Sequence, residues 1–153
     1  MYKEHKRIAF IIFISISIVD WLAKIKYDAV FEIVLTVTSI ILGFYIAALS
    51  SLFGNRTLRK MGKVQDTRIK HKTQLGVLLT YYRFSVVVSV VTIILSLILM
   101  MIIKSSREMI CEEFINILGS LLIGLTFASV YLMYKLLMLF ITILKDSNKE
   151  KKD

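Results

Sequence analysis

Three stretches of this chain stay apolar for longer than a soluble helix or strand requires. Ala29–Phe53, Leu75–Ile103 and Phe114–Leu144 are dominated by Leu, Ile, Val, Phe and small residues, and no proline occurs anywhere in the 153 residues. At ~1.5 Å of rise per helical residue, a hydrocarbon core of ~30 Å takes roughly 20 residues, and each stretch exceeds that. A soluble domain distributes its apolar residues as stripes on amphipathic elements, not as unbroken runs. With 57% of the residues hydrophobic, the sequence predicts an all-α, polytopic membrane protein. Its helices can run unkinked in a compact bundle.

A shorter apolar run, Ile8–Val19, follows the basic start Lys3, Lys6, Arg7. The pattern is that of a secretory signal, but Asp20 and Trp21 stand where small cleavage-site residues belong. The segment is expected to be an uncleaved first transmembrane helix. The expected helices are 8–24, 29–54, 75–103 and 114–144, forming one domain with a basic loop over 55–74 and a frayed tail from Lys145.

That loop orients the chain. Between Arg56 and Lys72 lie seven Lys or Arg and a single acid, Asp66. Basic segments beside membrane helices lie on the cytoplasmic side. With both termini inside as well, fourteen of the twenty Lys and Arg are cytoplasmic, while Lys24, Lys26, Lys104 and Arg107 fall in outer turns. Four transmembrane helices with both termini cytoplasmic satisfy this asymmetry.

Spacing locates the charges that remain inside the helices. Arg83 lies 21 residues from Lys104 and Lys135 lies 22 from Glu113. Each is about one bilayer thickness from the outer turn, as expected of interfacial anchors snorkelling beside Tyr81, Tyr82, Tyr131 and Tyr134. Leu75–Tyr82 and Leu136–Leu144 would then project as stalks beside the loop, with Leu136–Phe140 covered by the other stalk or by a partner. Glu32 is expected at the outer interface. Asp20 lies only 13 residues from Arg7, so it falls within the outer leaflet. It either pairs with Lys24 one turn on, both reaching outward, or forms a protonatable group facing a wet crevice.

Small and hydroxyl residues recur at helical spacing. The second helix has Glu32, Thr36, Ser39, Gly43, Ala47 and Ser50; the third has Ser85, Ser89, Thr92 and Ser96; the fourth has Asn116, Ser120, Gly124 and Ala128. Such faces let membrane helices approach closely. Alternatively, their hydroxyls replace part of an ion's hydration shell along a water-lined path. Helices packed at ~8–10 Å leave no channel within a single bundle, so conduction requires a homo-oligomer.

No enzyme chemistry is legible. His5 and His71 are far apart, Cys111 is the sole cysteine, and no phosphate loop, nucleophile elbow or paired catalytic carboxylates occur; Glu112-Glu113 reads as a solvated acid pair at a helix N-terminus. No cofactor or metal is expected. Arg56, Arg59, Lys60, Lys63, Arg68 and Lys70 are candidate contacts for anionic lipid headgroups or a cytosolic protein partner. Leu58, Met61 and Val64, spaced by three, suggest a helix lying on the membrane face. Interleaved aromatics are lacking, which argues against nucleic acid.

Ile46-Ala-Ala-Leu-x-x-Leu-x-Gly54-x-Arg56-Thr57-x-Arg59 closes the second of four expected helices. This stretch, through Lys63, resembles RexB-type membrane proteins of lambda-type phage-exclusion systems. The resemblance implies a bacterial inner-membrane protein of anti-phage defence (abortive infection), an ion channel that depolarises the cell when a cytosolic partner senses infection. Gly54, Arg56, Thr57 and Arg59 are the positions that carry over. A non-conducting scaffold or sensor subunit of a multi-component defence complex is the alternative, and a holin-like lysis protein a third.

Overall fold

The computed structural model describes residues 2–23, 30–53, 62–66, 73–105 and 112–149. Among them are four helices: α1 (Lys3–Ala23), α2 (Val30–Phe53), α3 (Gln74–Ser105) and α4 (Glu112–Lys149). Within α2, α3 and α4, runs of 21, 29 and 30 residues are long and apolar enough to cross a membrane. α1 is not among them, because Lys3, Glu4, Lys6, Arg7 and Asp20 fall within its 21 residues.

Two helix ends differ from the sequence expectation. α1 starts at Lys3, not near Ile8, since nothing in Lys3–Arg7 breaks a helix and Glu4 favours an N-terminus. α4 continues to Lys149, through the segment expected to fray, because no Gly or Pro follows Gly124.

α2, α3 and α4 pack on one another, whereas α1 packs mainly on α4. Residue pairings give alternating directions. Phe31 of α2 clusters with Leu99 of α3 and Leu122 of α4, and at the opposite end Tyr45 and Ile41 cluster with Val77, Tyr81, Leu132 and Leu136. α1 runs antiparallel to α4, with Lys6 and Ala9 level with Ala128 and Leu132 and Trp21 level with Ile117.

The buried face of α2 is Phe31, Val34, Thr38, Ile41 and Tyr45, spaced by three and four residues. Two apolar clusters close the ends of the bundle, and between them the interior is lined by hydroxyls. A third cluster, Leu78 with Leu75, Leu139 and Phe140, lies beyond Tyr81 on the loop side. Of the Leu136–Phe140 run, Leu136, Leu139 and Phe140 are thus packed against α3, while Met138 stays exposed.

Gly124 permits a close approach of α1 to α4. A Cβ there would lie 2.7 Å from the Phe13 carbonyl oxygen of α1 and closer still to Ser17 Oγ. Ser120, Gly124 and Ala128 are all buried, so the small face of α4 is the seat of α1.

Candidate functional site

The two hydroxyl stripes face opposite ways. Ser85, Ser89, Thr92 and Ser96 of α3 are each 0% exposed, and Thr38, Thr126 and Ser129 join them from α2 and α4. Thr36, Ser39, Gly43, Ala47 and Ser50 of α2 all point out of the bundle, as does Glu32. A Cβ on Gly43 would meet nothing within 4 Å. The eight candidate positions Thr36, Ser39, Gly43, Ser50, Ser85, Ser89, Thr92 and Ser96 therefore do not line one surface.

Inside the bundle, most hydroxyls donate to their own helix four residues back. Thr38 Oγ1 donates to the Val34 carbonyl at 2.7 Å, Thr92 to Val88 and Ser96 to Thr92 at 2.9 Å, and Ser129 to Leu125 at 3.0 Å. The bond satisfies the proton and leaves oxygen lone pairs facing the neighbouring helices. Tyr45 is the cross-link, its hydroxyl donating to the Ser129 carbonyl at 3.3 Å. Ser85 Oγ sits beside the Tyr45 hydroxyl without reaching hydrogen-bond geometry, and Ser89 Oγ has no partner among the described residues.

On the outward stripe, Thr36 donates to the Glu32 carbonyl at 2.8 Å and Ser50 to the Ile46 carbonyl at 2.9 Å. Again the oxygens are left as acceptors, here facing away from the other described helices. Ile33, Ile40 and Ile46 flank the stripe and are also exposed.

At the loop side, four side chains gather that the sequence had not linked. Tyr2 donates its hydroxyl to Asp66 Oδ2 at 2.9 Å, and its backbone amide donates to the Tyr81 hydroxyl at 3.2 Å. His5 Nδ1 bonds the same Tyr81 hydroxyl, and the rings of Tyr2, His5 and Tyr81 meet edge to face at 5.5–5.9 Å. Below them the loop's root is closed by the Gln65–Thr73 bridge and by Gln74 N–H donating to the Val64 carbonyl at 3.0 Å. Val64 lies in this bend and not on a surface helix, because the ladder to Gln74 takes its carbonyl. Lys63 stands exposed in the preceding turn. Arg56, Arg59, Lys60, Arg68 and Lys70 lie outside the described residues, as do Gly54 and Thr57.

The interfacial charges divide. Arg83 is exposed, and Lys135 holds its ammonium 5.6 Å from the Tyr131 ring centroid and 5.7 Å from that of Tyr134. Tyr81 is not part of that belt, because it is 0% exposed in the His5–Tyr2 cluster. Asp20 is not exposed, and its expected partner Lys24 lies outside the described residues. At 5% exposure Asp20 lies on the α1 face that carries Ser17 and meets α4. Among the described residues no three His, Cys, Asp or Glu side chains converge.

Three membrane-length helices packed around a hydroxyl-lined interior define the class as an α-helical membrane protein. Comparison with protein families, with characterised proteins and with solved structures gave no match.

Proposed function

We propose that this chain is a multi-pass protein of the bacterial inner membrane that assembles into a homo-oligomer. Its copies meet around the outward stripe of α2 and enclose an ion path. The observation that carries this is that α2 has two faces. One, Phe31 to Tyr45, holds the bundle together; the other, Thr36 to Ser50, is small, rich in hydroxyls and unused among the described residues. Lone pairs on Thr36 and Ser50 suit a cation stripped of part of its water, and Gly43 leaves room for a close neighbour. The buried stripe of α3 acts as packing.

Four crossings with both termini cytoplasmic are part of the same proposal. In support, α1 lies along α4 from Leu132 to Ile117, within the membrane-length run of that helix. In the setting that the RexB resemblance implies, a cytosolic partner engages the basic loop and opens the path, depolarising an infected cell. The anchored root of that loop, tied through Asp66 to Tyr2, equally favours a second reading, a non-conducting scaffold that recruits the partner.

Gly43→Phe separates the two. A Cβ at this exposed position would meet nothing within 4 Å, so insertion and folding are expected to be retained while close assembly is lost. In cells carrying a potential-sensitive dye, the wild type with its activating partner is expected to collapse the membrane potential, and Gly43→Phe to leave it intact. A potential that holds while wild-type cells still die removes conduction and leaves the scaffold. A wild type that is monomeric after mild extraction removes the path itself.

A further inference from the structure

α1 and α3 run parallel but meet chiefly at their N-terminal ends, because α1 is seated on α4. Between them opens a groove of about 430 Å³, within the range of ligand sites. Its floor is the buried Ala9, Ala128 and Leu132, and Phe10 and Phe84 stand exposed on its two rims. At its loop end the Lys6 ammonium lies 5.6 Å from the centroid of the Phe84 ring, spanning from α1 to α3. Lys6 has no carboxylate partner among the described residues. Lys3, Arg7 and Arg83 are exposed close by in sequence to Lys6 and Phe84, with Glu4 as the one acid of that α1 turn.

We propose that this groove holds one acyl chain of an anionic phospholipid, with the phosphate on Lys6. The argument is complementarity at both ends of one ligand. The walls offer a hydrocarbon tail only apolar contacts, and small residues on the floor give it depth that a flat helix surface lacks. From Lys6 to Phe13 the groove spans seven residues of α1, ~10 Å. That length accommodates the chain segment next to the glycerol while the head remains at the interface. The exposed cations select a negative head over a zwitterionic one. This rests on the chain lying in a bilayer and is independent of whether it conducts.

The protein, reconstituted in equal parts phosphatidylglycerol and phosphatidylethanolamine and then released into mild detergent, would be weighed by native mass spectrometry. One phosphatidylglycerol per chain is expected to remain bound. Lys6→Gln should lower that retention about fivefold, the change for one cation near an anionic surface. Val88→Trp, which fills the groove, should abolish it, and Ala128→Leu is a second filling variant if the first fails to insert. Ile141→Ala, exposed on α4 and outside the groove, should retain the lipid as the wild type does. Equal retention of both lipids by the wild type, or no change with Lys6→Gln, overturns the site. So does a disulfide between copies formed by Phe84→Cys in a Cys111→Ser background, which would give the groove to a second copy of the chain.

Discussion

Gly124→Ala is the smallest change that tests the seating of α1. The added methyl would lie 2.7 Å from the Phe13 carbonyl oxygen, 0.7 Å short of the 3.4 Å at which contact becomes ordinary, and it also overlaps Ser17 Oγ. The hydroxyl can rotate, but the carbonyl is backbone, so α1 must move as a body. Overpacking of this kind costs about 1–3 kcal/mol. Against it stands a gain of at most ~1 kcal/mol, because alanine is the better helix former. The net expectation is a loss of up to about 2 kcal/mol, read by equilibrium unfolding in mixed micelles. Gly43→Ala is the internal control. It carries the same propensity gain with nothing within 4 Å, so it should be neutral or slightly stabilising. Adding Ser17→Gly to Gly124→Ala should recover part of the loss but not all of it, since the Phe13 carbonyl remains. If Gly124→Ala is as stable as Gly43→Ala, the close α1–α4 approach is wrong.

Two further outcomes follow from single side chains. Ser89→Ala removes a buried hydroxyl with no partner among the described residues, so stability should hold or rise by about 1 kcal/mol in the same unfolding assay, whereas a loss beyond that would mean the hydroxyl is bonded. Tyr2→Phe removes the bond to Asp66 and should cost about 1 kcal/mol locally, seen as faster amide exchange at Val64–Asp66 with no change in the membrane helices; unchanged exchange there would show that the Tyr2–Asp66 bond does not hold the loop root.

The helices were legible because a bilayer demands length, and length can be counted along α2, α3 and α4. Which way each helix turns was less so. In a soluble protein the apolar face is the buried one; in lipid both faces are apolar, and the buried face of α3 proved to be its serines and threonines. The same small-residue pattern on α2 faces outward, and no feature of Thr36 or Gly43 alone separates it from Ser89. One signal was available: Phe31, Val34, Thr38, Ile41 and Tyr45 also keep helical spacing, and their larger side chains fit a three-way contact. The Tyr2–His5–Tyr81–Asp66 cluster had no local signal, because its members lie up to 79 residues apart in the chain. Asp20 was legible as anomalous, and the structure resolves it by turning it toward α4.

The seating of α1 also bears on biosynthesis. Its main partner is the helix farthest from it along the chain, so the ribosome delivers α1 long before α4 exists to receive it. Until then the face bearing Ser17 and Asp20 has no groove to occupy. If α1 crosses the membrane as proposed, that face must be sheltered, or α1 must linger at the headgroups, until α4 arrives. On the four-crossing topology proposed above, α1 would settle into the membrane only after the later-made α4.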